Sequence, residues 1–176
     1  HLLIISKLKV FQSSSLEIDI SLHLGSLLAI IFYFRKDLSG ILKNKDLSLL
    51  IILGSIPLIV VGFVLHKTGL INYLRNIEVI AWTTLMFGIL LFFSDKLETK
   101  KNLNKDLNLK NILIISCFQI LALIPGVSRS GIIITTGRFL KFNRYESSKI
   151  SFYLSIPAIA GASFLGLKDI FNQNIE

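Results

Sequence analysis

Long uncharged runs alternate with short charged stretches along this chain of 176 residues. A helix that crosses a bilayer takes about 20 mostly apolar residues. The pattern predicts four spanning helices, at about 20–34, 47–65, 77–94 and 150–167. The first holds only 15 uncharged residues, so flanking residues must help it reach the interface. We therefore expect an all-α, polytopic membrane protein, with 1–176 forming a single integral membrane domain.

A fifth apolar segment, 111–140, is interrupted at 125–131 by the sequence Pro-Gly-Val-Ser-Arg-Ser-Gly. Pro125 lacks a backbone donor and breaks a helix, and the two glycines allow tight turns. Arg129 is the only charged residue between positions 111 and 137. At membrane depth it costs about 2.5 kcal/mol or more unless it faces a partner or a polar cavity. The segment is thus predicted as a helix, a polar loop inside the bilayer, and a second helix.

The polar loop has the residue types of an anion site. Backbone N–H groups, the start of the following helix and a guanidinium would converge there, which suits phosphate best. The alternative is a kinked spanning helix whose arginine forms a salt bridge with a neighbouring helix. The concentration of Gly, Ser and Arg within seven residues favours the anion site.

The distribution of positive charge indicates how the 111–140 segment lies. If it enters and leaves on one side, the loops 35–46, 95–110 and 138–149 share a side and hold thirteen Lys and Arg, against five on the other. If it crosses once, the split is ten to eight. The positive-inside rule therefore favours a re-entrant hairpin on the cytoplasmic side. Residues 1–11 could form the second arm of an opposed hairpin, giving an inverted-repeat architecture.

Composition supports the membrane assignment and excludes other classes. The chain is 52% hydrophobic, with a mean hydropathy of +0.68 and a net charge of +8. The positive charges lie between apolar segments, so they indicate topology and anionic-lipid contacts and no nucleic-acid partner. Cys117 is the only cysteine, which excludes a disulfide within the chain. The histidines His1, His23 and His66 are too scattered to form a metal cluster.

Residues 119–131 (QILALIPGVSRSG) resemble the second signature of the undecaprenyl-diphosphate phosphatase family, the BacA type linked to bacitracin resistance. The stretches 22–29 (LHLGSLLA) and 33–38 (YFRKDL) are similar to the first full span of that family. Arg-Tyr-Glu at 144–146, with Ser-Phe and Ile-Pro further along, is similar to the segment after the signature. The resemblance covers nearly the whole chain.

The resemblance implies a multi-pass hydrolase of the bacterial inner membrane. Such an enzyme removes the terminal phosphate of undecaprenyl diphosphate, which recycles the lipid carrier for cell-wall synthesis. The first signature of the family carries two glutamates, followed by Pro-Ile-Ser-Ser-x-Gly-His-Leu. Only its last two positions are present here, as His1 and Leu2. The family also continues past residue 176, so we expect this chain to be an internal fragment.

Three residues are candidates for catalysis. Arg129 would clamp the diphosphate and stabilise charge in the transition state, unless it forms a structural ion pair. Ser128 would donate a hydrogen bond to phosphate or act as the nucleophile. His1 matches the family histidine thought to transfer a proton or act as nucleophile, unless its position only reflects truncation.

Three further residues are candidates for substrate binding, namely Gly126, Ser130 and Gly131. The glycines would provide backbone geometry for the loop. Ser130 would contact the substrate directly or cap the following helix. Gln119, nearly two turns before the loop, would line the cavity or bond another helix.

The family also implies a divalent metal, Mg²⁺ or Ca²⁺, bridging the diphosphate and carboxylates. Its ligands are expected in the missing N-terminal segment. A homodimer is left open. The alternative function is a transporter or lipid flippase that uses the hairpins without hydrolysis, and a non-catalytic remnant is a third reading. A glutamate pair in the first hairpin would distinguish hydrolysis from translocation.

Overall fold

The computed structural model describes residues 15–69 and 76–173, and these residues form helices joined by loops and turns. The only bridge of β type among them is an isolated pair, Lys101 with Phe142. The all-α prediction is therefore confirmed for this part of the chain. The helices are α1 Ser15–Tyr33, α2 Arg35–Lys43, α3 Lys45–Thr68, α4 Ile77–Asp95, α5 Leu103–Asp106, α6 Leu109–Gln119, α7 Arg129–Phe139 and α8 Arg144–Gln173, with a 3₁₀ turn at Ile120–Leu123.

The chain divides into two compact units. One contains the described parts of 1–38 and 156–176, which include α1 and the later turns of α8. The other unit, 39–155, contains α3 to α7, the first turns of α8 and the polar loop after α6. The candidate site lies within this second unit.

Two helices of the second unit are long and apolar enough to cross a membrane, among the residues that the structure describes. They are Lys45–Leu65 in α3 and Ile77–Asp95 in α4, with 21 and 19 residues. Many of their large apolar side chains point outward, including Ile52 and Trp82, which are 57% and 66% exposed. Such extended apolar surfaces are unfavourable in water and suit contact with lipid.

The helical hairpin formed by α6 and α7 packs on these two long helices. The first arm, α6, lies against α3, and the second arm, α7, lies against α4. A glycine allows the α3–α6 contact, since a Cβ atom at Gly54 would lie 2.7 Å from Cγ1 of Ile112. Ser116 donates a hydrogen bond of 2.6 Å to the Gly54 carbonyl. Gly54 and the Ser116 hydroxyl thus allow α6 to pack closely on α3.

A left-handed residue ends α7 and joins it to the loop after α4. Lys141 has φ 74°, and the N–H groups of Lys141 and Phe142 donate to the carbonyls of Arg138 and Gly137 at 2.9 and 3.0 Å. This pattern is the Schellman ending of a helix. The Lys141 carbonyl accepts from Lys101 N–H at 3.0 Å. The C-terminal ends of α4 and α7 therefore lie together.

The helices extend further into charged stretches than the hydropathy pattern predicts. Helix α1 begins at Ser15, before the predicted span at 20–34, and α8 continues to Gln173, beyond the predicted end at 167. Much of 35–46 is helical where a loop was expected. Apolar length indicates where a helix can cross lipid, but it does not set where the helix begins. Asparagine side chains set several starts, because Asn44, Asn76, Asn108 and Asn143 each accept an N–H from the first turn of the next helix.

Candidate functional site

The polar loop begins with a tight turn at 124–127. The Val127 N–H donates to the Ile124 carbonyl at 3.1 Å, with Pro125 and Gly126 between them. Gly126 has φ +94°. Proline at the second position and a positive-φ glycine at the third are the signature of a type II turn. The tight turn expected from the sequence is present, and it reverses the chain after α6.

This turn packs directly against helix α4. Thr83 Oγ1 donates to the Pro125 carbonyl at 2.8 Å, and Thr84 Oγ1 donates to the Gly126 carbonyl at 3.0 Å. A Cβ atom at Gly126 would contact Thr83 Oγ1 and lie 2.6 Å from the Ile80 carbonyl oxygen. The contact therefore excludes any side chain at 126. The Thr84 hydroxyl donates to one carbonyl of the turn, and the single hydroxyl hydrogen of Thr83 is shared between the Pro125 carbonyl and the Val79 carbonyl of its own helix, 2.7 Å away.

Ser128 begins the helix that follows. Its Oγ accepts a hydrogen bond of 3.2 Å from the Gly131 N–H, and its backbone is extended at φ −70°, ψ 121°. The Ser130 Oγ lies 3.2 Å from the Ser128 Oγ, and both serines are exposed. The expectation of a cap by Ser130 is wrong, because Ser130 lies inside the first turn and Ser128 occupies the capping position. Ser130 remains a candidate for direct ligand contact.

Arg129 is the first residue of α7, and its side chain is partly buried. Among the described residues, its guanidinium has neither a hydrogen bond nor an ion pair. The alternative of a structural ion pair thus has no support in this part of the chain. The N–H groups in the first turn of a helix lack helical acceptors, and the helix dipole favours an anion beside them. An unpaired guanidinium at this position can bind phosphate.

The structure brings five of the six candidate site residues into one continuous loop and first helical turn. Gly131 has helical geometry there, and its role is spatial, since a Cβ at this position would lie 3.1 Å from the Cβ of Ser128. The sixth candidate, His1, lies outside the described residues. Whether these six residues act in catalysis or binding stays a prediction.

Gln119 ends α6 in a fully buried position, with 0% relative exposure. Within the part of the chain that the structure describes, neither atom of its side-chain amide has a hydrogen-bond partner. The expected bond to another helix is therefore not formed there. Gln119 directly precedes the 3₁₀ turn that leads into the loop.

Thr83 and Thr84 were not predicted as part of the site. They are adjacent hydroxyl residues in the middle of the otherwise apolar span 77–94. A polar side chain at such a position needs a partner, which is a signal that could have been used. The sequence does not say that the partner is the Pro-Gly turn.

The described residues do not fit a divalent metal ion by themselves. In 15–69 and 76–173, no group of three or more His, Cys, Asp or Glu side chains could hold one. Mg²⁺ and Ca²⁺ prefer several oxygen ligands that include carboxylates. The Ser-Arg-Ser loop instead offers hydroxyl groups and the guanidinium of Arg129, which are suited to binding a phosphate anion.

Comparison with known proteins identifies related chains. The family described as bacitracin resistance protein BacA matches residues 1–176. The undecaprenyl-diphosphatase of Pelagibacter ubique (strain HTCC1062) is 56% identical over 177 residues, covering 100% of this chain and 69% of the relative. The undecaprenyl-diphosphatase of Elusimicrobium minutum (strain Pei191) is 43% identical over 185 residues, with 100% and 70% covered. The undecaprenyl-diphosphatase of Alteromonas mediterranea is 37% identical over 187 residues, which cover 99% of this chain and 70% of the relative.

We predict that Gly126→Ala destabilises the second unit by about 1–3 kcal/mol. The new Cβ meets α4, and alanine is strained at this positive φ. The measurement is thermal unfolding in detergent. Gly88→Ala is the matched control. Gly88 lies within α4, the helix that Gly126 contacts, and a Cβ atom at Gly88 meets nothing within 4 Å. The control should be neutral or slightly stabilising. Equal effects of the two substitutions would show that the turn does not rest on α4 as described.

Proposed function

Because this chain belongs to the bacitracin resistance protein BacA family, we propose that it hydrolyses undecaprenyl diphosphate to undecaprenyl phosphate and phosphate. This activity recycles the lipid carrier of cell-wall synthesis and confers resistance to bacitracin. The relatives compared above are undecaprenyl-diphosphatases. The observation that carries the site assignment is the unpaired Arg129 guanidinium at the start of α7.

In this proposal the diphosphate binds at the N-terminus of α7. Arg129 forms two charge-assisted hydrogen bonds to phosphate oxygens and stabilises the charge that develops as the terminal phosphate leaves. The exposed Ser128 and Ser130 hydroxyls donate to the same oxygens, and Ser128 is also the candidate nucleophile. Gly126 and Gly131 keep the backbone compact enough for the phosphate to approach. His1, a candidate for proton transfer or attack, lies outside the described residues.

The geometry of the hairpin supports a re-entrant loop at membrane depth. Helix α4 has 19 residues, a length of about 28 Å, close to the thickness of a hydrocarbon core. The turn at Pro125 meets α4 at Thr83, twelve residues or about 18 Å from Asp95. The tip of the hairpin therefore stops partway along a helix that could span the membrane.

Both ends of the hairpin lie at the same end of α4. The end of α7 is joined to the loop after α4 through Lys101 and Lys141. The start of α6 follows directly on the short helix α5 of the same connection, where Asn111 Nδ2 donates to the Asp106 carbonyl at 2.9 Å. We infer that the hairpin enters and leaves on the cytoplasmic side of the inner membrane. A matching hairpin that would complete an inverted repeat involves residues 1–11, which lie outside the described residues.

In this proposal, the described residues do not hold a divalent ion by themselves. If Mg²⁺ or Ca²⁺ assists hydrolysis, its ligand set must include residues outside the described ones, because no group of three or more His, Cys, Asp or Glu side chains among those could hold the ion. The ion would supply further neutralisation of diphosphate charge.

We predict that Arg129→Met lowers the rate of phosphate release from undecaprenyl diphosphate at least about tenfold, equivalent to about 1.4 kcal/mol of transition-state stabilisation. The assay is run in detergent with Mg²⁺. Because the match covers 69% of the Pelagibacter relative, the chain is joined to the segments that flank the matching region in that relative, which gives what we call the completed protein. Arg129→Lys keeps the charge but loses the planar fork, so an intermediate rate is expected.

The control is Lys110→Met, which removes an exposed positive charge from the start of α6 and should keep the rate within about twofold. A completed protein that folds but releases no phosphate would contradict the proposed hydrolysis, and lipid translocation would then be the function to measure. A folded Arg129→Met variant with unchanged turnover would refute the assignment of the site.

We predict that cysteines replacing Lys100 and Lys141 react with a membrane-impermeant maleimide from the same, cytoplasmic, side. The exposed Cys117 is first replaced by serine. A cysteine at Lys67, near the far end of α3, should react only from the opposite side. Reaction of the Lys100 and Lys141 positions from opposite sides would exclude the re-entrant hairpin.

A further inference from the structure

A second arginine lies at the opposite end of α7 from Arg129. Arg138 is only 4% exposed, although the charge count had placed it in the loop 138–149. That placement is wrong, because Arg138 belongs to the last turn of α7 and points toward the end of α4. Its guanidinium donates to the carbonyls of Asp95 and Leu97 at 2.7 and 2.8 Å, and to Thr99 Oγ1 at 2.7 Å.

These acceptors lie at and just beyond the C-terminus of α4. The last carbonyls of a helix have no helical donor, and the end of the helix carries partial negative charge. With one planar group, Arg138 satisfies the carbonyl of Asp95, the last residue of α4, and that of Leu97 just beyond the helix, and it also donates to the Phe142 carbonyl at 3.4 Å. The Asp95 carboxylate lies 3.6 Å from its Nε. A lysine has a single nitrogen without the fork and cannot reproduce this set.

The contacts at the two ends of α7 share one register. At the loop, Thr83 bonds Pro125 and Thr84 bonds Gly126, each pair 42 positions apart. At the far end, Arg138 bonds Asp95 and Leu97, which are 43 and 41 positions away. Helices α4 and α7 therefore run parallel, and hydrogen bonds hold them in the same register near both ends. We call these two sets of hydrogen bonds the two fastenings. Arg129 lies on the segment between the two fastenings.

The Asp95 carboxylate has a second, exposed partner that offers a comparison. Arg144, at the start of α8, donates two hydrogen bonds of 2.6 Å to its oxygens, and the Arg144 side chain is 73% exposed. The hydrogen bonds that Arg144 donates to the Asp95 carboxylate raise the pKa of Arg144. Exposed ion pairs contribute little to stability. Arg144 does not touch α7 through these bonds, so its loss should leave the register of α7 unchanged.

We propose that Arg138 is a positioning residue for the hydrolysis, which holds α7 in register on α4 so that Arg129 meets the diphosphate. This proposal rests on the proposed function. The fastening at the loop sets the depth of the Pro-Gly turn, and Arg138 prevents α7 from sliding or rotating relative to it. Displacement of a binding group by about 1 Å can cost a hundredfold in rate.

The test compares steady-state kinetics of variants in the completed protein, with the folded fraction of each determined by size-exclusion chromatography. Arg138→Met should lower kcat at least tenfold and change KM less than threefold, since the guanidinium of Arg129 is still present but misplaced for the transition state. Arg138→Lys should not restore kcat. Thr99→Val, which removes one acceptor of Arg138, should lower kcat by a smaller factor, about threefold. Arg144→Met is the matched control and should keep both constants within twofold.

A wild-type kcat in folded Arg138→Met, with only a lower melting temperature, would overturn the proposal and leave Arg138 a purely structural residue. If Arg138→Met does not fold, Arg138→Lys and Thr99→Val decide, and wild-type kcat in both overturns it equally. Arg129→Met is measured beside them. If Arg129→Met is fully active, the site assignment fails; if Arg129→Met is inactive while Arg138→Met turns over normally, only the positioning role fails.

Discussion

The close contact between a Pro-Gly turn and helix α4 is the constraint on which the rest of this structure depends. Gly126 rests on Ile80 and Thr83 with no room for a side chain. Backbone carbonyls in apolar surroundings need hydrogen-bond donors from the protein, because no water is available there. Thr83 and Thr84 supply those donors. A loop that would otherwise be too polar for membrane depth is thereby held partway along an apolar helix.

The position of the turn determines where the next helix begins and what its first residues face. Ser128 caps α7, so the free N–H groups of the first turn and the Arg129 side chain share one region. At membrane depth, as proposed for this loop, fixed donors and charges act more strongly on a phosphate than they would in solution. The proposed anion site therefore depends on the same geometry that makes the loop tolerable in an apolar environment.

Local sequence signals were enough to predict much of this arrangement. Pro125 and Gly126 specify a turn by their own backbone preferences, and the lone Arg129 marks a functional position by its cost. The helical class followed from the uncharged runs. The partners of the loop could not be predicted, because Thr83 and Thr84 lie 42 residues away and only the packing of α7 on α4 brings them there. Arg138 was misread for the same reason, since burial of a charge at a helix end depends on acceptors from another helix.

The most direct test of the central claim is an experimental structure of the completed protein with a non-hydrolysable polyprenyl diphosphate analogue. The account predicts a phosphate group at the N-terminus of α7, with its oxygens about 3 Å from the Arg129 guanidinium nitrogens. The Gly126 turn should remain seated on Thr83 and Thr84. A diphosphate bound elsewhere, with the Arg129 guanidinium directed away from it, would contradict the account.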